Sequence, residues 1–150
     1  MPTKRTPKKR RTRSSVVVQR AARGAPATAL LRRFARAAAP ARAVITLRVT
    51  GVAEARSLNR KFRRKTYAAN VLSFPYAGGS GDVVLCHPII AKEARAQGKA
   101  LRAHYAHLVV HGVLHLRGHD HLRRDDSARM ERAELRILRR LGFGDPYALK

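Results

Sequence analysis

Acidic residues are scarce in this chain: nine Asp and Glu stand against 33 Lys and Arg in 150 residues, a formal charge of +24 at pH 7. That imbalance favours an anionic polymer as partner, nucleic acid first. Cysteine is nearly missing. The single Cys86 excludes an internal disulfide framework and suits a reducing compartment, so a cytoplasmic location is expected. No apolar run approaches the ~18 residues of a spanning helix, and no membrane partner is expected. Phe and Tyr contribute four residues each, too few for an aromatic stacking platform to be the main contact with RNA. What is present is material for a core. Hydrophobic residues make up 45%, which argues against global disorder and for one domain.

The charge is unevenly spread. Residues 1–53 hold 14 basic residues and no acid, whereas residues 54–150 hold 19 basic and nine acidic. The first 15 residues carry seven Lys or Arg and no large apolar residue beyond Met1. Such a segment buries too little to offset its ordering entropy, so residues 1–15 are expected to form a disordered basic arm ahead of a single domain, 16–150. RNA binding, an uninformative extension and an organellar presequence all fit that composition.

From Val16 onward helix and strand patterns alternate. Strands are predicted at Val16–Gln19, Ala43–Thr50, Val71–Phe74 and Val83–Cys86. Helices are predicted at Pro26–Ala39, Val52–Phe62, Pro88–Gln97, Leu101–Arg117 and Ser127–Leu141, the last capped by Asp126 or Ser127. Ala77–Gly81 reads as a flexible turn. A mixed sheet of about four strands packed with about five helices defines an α/β layer fold.

Five of the seven histidines lie between His107 and His121. His111 and His115 are four apart, so a helix stacks them on one face, where two imidazoles can grip one ion. Gly118 lets the chain turn back, and His121 can supply a third ligand. Three neutral imidazoles leave one tetrahedral position open, the layout of a catalytic zinc site at the end of a central helix. The same spacing occurs in metzincin proteases, whose general base follows the first histidine. That position is Gly112 here, which makes a metzincin-like metalloprotease the remote reading.

Residues 111–121, HGVLHLRGHDH, resemble the signature of the YbeY family of bacterial endoribonucleases, with His119 in place of Tyr. The flanks are similar too: Leu58-Asn59, Phe62-Arg63, Asn70 to Pro75, Gly81-Asp82, Glu93, His104 with His107, Met130, Glu131, Glu134 and Asp145 to Tyr147. The resemblance runs collinearly over residues 44–148. It implies one zinc per chain, held by His111, His115 and His121, and an arginine needed for activity at Arg63. It further implies single-strand-specific cleavage of RNA, 3′-end maturation of small-subunit ribosomal RNA and ribosome quality control. The partners implied are ribosomal RNA and the small ribosomal subunit, with ribosomal proteins or an assembly GTPase as further candidates.

Thr66 and Ala69 depart from the family, which usually has Asp and Thr there. His119 could compete as a ligand or donate a proton. Asp120 could orient a ligand imidazole or cap the loop. Arg63 could clamp the scissile phosphate through its planar fork of donors, with Arg60, Lys61, Arg64 and Lys65 as neighbouring RNA contacts. His104 and His107 are assigned to packing or to a substrate groove. Cys86 reads as a small buried thiol. A non-catalytic, zinc-containing ribosome-assembly factor that binds RNA is the alternative function.

Overall fold

The computed structural model of the protein describes residues 13–118 and 124–147. Four strands, β1 (Ser15–Arg20), β2 (Val44–Thr50), β3 (Val71–Pro75) and β4 (Gly81–Cys86), form one sheet in the order β1-β2-β4-β3. β1, β2 and β4 are parallel, and β3 lies antiparallel on β4 at one edge. Five helices accompany them: α1 (Thr28–Ala38), α2 (Val52–Arg63), α3 (His87–Gln97), α4 (Leu101–Leu116) and α5 (Arg124–Arg140). The small mixed sheet packed with helices is the expected α/β architecture. Parallel neighbours need a crossover, which α1 supplies between β1 and β2.

Alternation along β2 sets the two faces of the sheet. Ile45, Leu47 and Val49 are fully buried and join Val83 and Leu85 of β4 in the core, against α1 and α4. Thr46 and Arg48 face the other way, where α2 covers the sheet incompletely and a cavity of about 530 Å³ remains. α4 is the central helix. Ten of its residues are buried, because it has the sheet on one side and α1 and α5 on others. Each fully buried Leu or Val there contributes about 1.5–3 kcal/mol relative to exposure.

α4 meets the sheet closely enough that side-chain volume decides the contact. A Cβ on Gly112 would lie 2.7 Å from Val83 Cγ1 and 3.2 Å from Ser73 Oγ. At Gly81, a Cβ would meet the Phe74 carbonyl at 2.4 Å and Leu116 Cδ2 at 2.6 Å, so the start of β4 also requires glycine.

Several boundaries depart from the sequence expectation. α1 begins at Thr28, because the Pro26 and Ala25 carbonyls accept hydrogen bonds from the Arg20 guanidinium at 2.7 and 2.8 Å. Pro26 therefore belongs to the preceding loop. β4 begins at Gly81, where the expected turn gives way to strand pairing with Ile45 and Pro75. α5 begins at Arg124, so Asp126 and Ser127 lie inside its first turn rather than capping it. Such residues favour a first turn and a cap alike, and cannot fix the boundary. Of the expected basic arm, residues 1–12 lie outside the described residues. Ser14 is already buried, and β1 opens at Ser15, one residue ahead of the expected Val16.

Candidate metal centre

Spacings of three and four along α4 place His104, His107, His111 and His115 in one stripe. Successive ring centroids lie 6.4, 6.0 and 4.7 Å apart. Their partners differ. His104 bonds Glu93 of α3 at 3.0 Å, and Glu93 in turn accepts from the Asn70 amide at 3.1 Å. His104 is thereby committed to packing. His111 turns Nδ1 to Glu134 of α5 and Nε2 to His115 Nε2, at 3.1 Å.

Glu134 is fully buried and receives three donors. These are His111 Nδ1, His107 Nε2 at 3.3 Å and the Tyr147 hydroxyl at 2.5 Å. Burial alone raises a carboxyl pKa, but hydrogen bonds from His107, His111 and Tyr147 outweigh it here and hold Glu134 at about 2. The acid is therefore ionised at neutral pH. Burial, and then the bond to Glu134, push the Tyr147 phenol well above its ordinary value, so it remains a donor. Glu134 holds the ring of His111 by its Nδ1, which turns the Nε2 of the same ring towards His115.

Two neighbouring sets of atoms could receive an ion. Among the described residues, His107, His111 and Glu134 bring ligand atoms within 4.8 Å of one another. The second set is the pair of Nε2 atoms on His111 and His115, 3.1 Å apart. Two nitrogens bound to one tetrahedral zinc at ~2.0–2.1 Å would lie roughly 3.3 Å from each other. The donor set therefore fits a metal. His119, Asp120 and His121 lie outside the described residues.

Arg63 is the last residue of α2 and is exposed. It donates to the Ser73 carbonyl on edge strand β3 at 3.1 Å, and the Ser73 hydroxyl donates to the Gly112 carbonyl at 2.9 Å. Two hydrogen bonds thus link Arg63 to the residue after His111. Arg60, Lys61, Arg64 and Lys65 are exposed around it. The loop that follows α2 is pinned by buried Asn59, whose amide donates to the Tyr67 carbonyl at 2.8 Å. Arg64 closes the helix in the left-handed conformation, φ 56°.

Gly112 occupies the position of the metzincin base and points into the sheet, where not even a methyl group fits. A carboxylate there could not reach the histidines, which removes the peptidase reading on steric grounds. Cys86 is fully buried, and burial pushes its thiol up, so it is an inert core thiol. The Ser80 hydroxyl accepts the Val44 N–H at 2.9 Å and is structural.

The pattern of single residues did not assign a role to Glu134 or Tyr147. A signal for Glu134 exists: it falls on the buried stripe Met130, Ala133, Ile137, Leu138 of α5, where a lone acid demands a partner. Nothing local marks Tyr147, which reaches the site from beyond the end of α5.

Fold and site together define an α/β protein with a potential metal centre on its central helix and a basic rim beside it. The chain belongs to the Endoribonuclease YbeY family, whose profile matches residues 11–142. It is 52% identical over 126 residues to Endoribonuclease YbeY of Aromatoleum aromaticum, a match covering 82% of each chain. It is 42% identical over 138 residues to the protein of the same name from Polynucleobacter asymbioticus, covering 89% of each. The fold recurs in the solution structure of a Thermotoga maritima protein, with a TM-score of 0.56 at 18% identity over 89% of this chain and 100% of that one. Among the described residues no helix is long and apolar enough to cross a membrane.

Proposed function

We propose that this protein is a zinc-dependent endoribonuclease that cleaves single-stranded RNA during ribosomal RNA maturation in the cytoplasm, acting on the small ribosomal subunit. The carrying observation is His111, with Nδ1 on buried, ionised Glu134 and Nε2 facing His115 Nε2 at 3.1 Å. Carboxylate–histidine–metal triads have this form. Glu134 already serves three donors, and the His111 and His115 Nε2 atoms, 3.1 Å apart, are spaced as two ligands of one ion are, so these two would hold the metal. His121 would complete the set, on the spacing of its motif. When bound, zinc supplies Lewis acidity that polarises a phosphoryl oxygen and acidifies water.

The chain's own groups do the rest. Glu134 holds His111 in one orientation. Arg63, steadied by the Ser73 carbonyl, keeps further N–H donors to clamp the scissile phosphate and stabilise charge developing on it. Arg60, Lys61, Arg64 and Lys65 supply a positive field that draws the RNA backbone to the rim.

The test is metal content of the purified protein, followed by cleavage of a defined single-stranded RNA before and after chelation. One zinc per chain and cleavage that stops on chelation and returns with zinc are expected. RNA binding without cleavage in the zinc-loaded protein would overturn the enzyme reading in favour of a non-catalytic assembly factor. Cleavage that persists after full metal removal would overturn the metal assignment.

A further inference from the structure

On the far side of the α1–β2 loop from His115, four arginines converge with no acid among them. Arg13 ahead of β1, Arg33 and Arg36 on α1 and Arg140 at the end of α5 line a cavity of about 520 Å³ with Ser14 and Leu141. All four are exposed, and none makes an ion pair or side-chain hydrogen bond among the described residues. Like charges gathered in this way repel. The C-terminal dipoles of α1 and α5, which end here, offset part of that repulsion. A bound anion would offset the rest. Guanidinium forks suit phosphate oxygens, to which each can donate two parallel hydrogen bonds.

The position of the cavity identifies the anion. Ala39 and Ala41 line it, while Pro40 lines a neighbouring cavity of about 540 Å³ together with His115, Arg117 and Gly79. The Arg117 guanidinium donates to the Ala38 carbonyl at 3.3 Å, tying the end of α4 to the end of α1. A single loop therefore separates the arginines from the proposed metal centre. A strand passing His115 and Arg117 has only to cross Pro40 to enter the cavity.

We propose that the Arg13–Arg33–Arg36–Arg140 cavity is a second binding site for the phosphodiester backbone of RNA, holding the substrate strand where it leaves the metal centre. This rests on the endoribonuclease reading for the identity of the strand. An anionic membrane is the less favoured ligand. Apart from Leu141, the cavity walls between the arginines are alanine and serine, so a single large apolar side chain is all they offer for insertion among acyl chains.

The experiment measures binding of a labelled single-stranded RNA across a salt series, with metal chelated so that cleavage is silent. The proteins are the wild type, the triple variant Arg33→Gln, Arg36→Gln, Arg140→Gln, and a control of equal charge, Arg95→Gln, Arg102→Gln, Arg132→Gln, whose three exposed arginines lie elsewhere. Single-stranded RNA loses roughly 0.7 from its salt slope for each phosphate contact removed. The cavity variant should therefore lose about 2 from the slope, and the control much less. With metal restored, the cavity variant should show a raised KM for long RNA and an unchanged kcat. Equal slopes for the two variants would overturn the proposal, leaving the arginines as general field. So would arginine-dependent binding to phosphatidylglycerol vesicles that exceeds the effect on RNA. A slope lost only in the cavity variant of a protein that never cleaves would support the site and refute the enzyme reading, so the two failures are distinguishable.

Discussion

Replacing Glu134 by Gln keeps the shape of a fully buried side chain while removing its charge. The carboxyl is held at about 2 instead of 4.5, which corresponds to about 3 kcal/mol in favour of the ionised form. Glutamine still offers one oxygen, so His111 can retain an acceptor, but a neutral one. Its amide then faces the hydroxyl of Tyr147 and Nε2 of His107, which must both reorganise to accept. The expected loss of unfolding free energy in the metal-free protein is about 2–3 kcal/mol, read from urea denaturation. The sign with pH follows from a depressed acid. The stability difference between wild type and variant is fully present above pH 4.5 and shrinks as the pH falls towards 2. Zinc affinity, measured by competition with a chromophoric chelator, should fall ~10–100-fold because His111 loses its orienting charge. His107→Phe removes a donor to Glu134 while leaving the Glu134–His111 bond in place, and should bind zinc nearly as the wild type does. Full zinc affinity in Glu134→Gln would refute the reasoning, even if stability fell, since the acid would then be a core group and nothing more.

Gly112→Ala should destabilise the fold by about 1–3 kcal/mol, because its methyl would lie 2.7 Å from Val83 Cγ1 beneath the histidine stripe; an unchanged urea midpoint would mean that α4 can lift off the sheet freely. Arg63→Lys keeps the charge but loses the planar fork, so single-turnover cleavage at saturating RNA should drop by roughly 10²–10³ with zinc content unchanged. Arg60→Ala and Arg64→Ala should weaken binding only modestly, and equal losses at the three positions would reduce Arg63 to one more surface charge. The Gly24 backbone packs on His87, whose Nδ1 accepts from the Tyr105 hydroxyl at 2.6 Å. Burial, then Arg20 and Arg95, lower its pKa below 6.5, so the stability it contributes is present above pH 6.5 and is lost as the pH falls through the depressed value. His87→Gln should remove that part of the acid-side decline, and an identical pH profile in the variant would show that other groups carry it.

The position of each element was legible along the chain because the rules that set it act over a few residues. Alternation of Ile45, Leu47 and Val49 marks a half-buried strand whatever surrounds it. The four-residue interval between His111 and His115 stacks two imidazoles on any helix. Boundaries were less legible where the deciding partner sits on another element: Arg20 of β1 holds Pro26 out of α1, and Ile45 of β2 draws Gly81 into β4.

The histidine spacing and the family motif were therefore properties of the sequence by itself, as were the charge imbalance and the α/β layering. Only the tertiary structure decided which nitrogen of His111 faces its neighbour. That choice is made by Glu134, 23 residues away on α5, and secured by Tyr147, 13 residues further on. It also joined Arg63 to α4 through Ser73, and brought Arg13, Arg33, Arg36 and Arg140 from three separate segments to one cavity. The physical reason is that a buried charge or a cluster of like charges is tolerable only once its partners are in place. Those partners come from elements that meet through packing of the core, which periodicity along one segment does not encode.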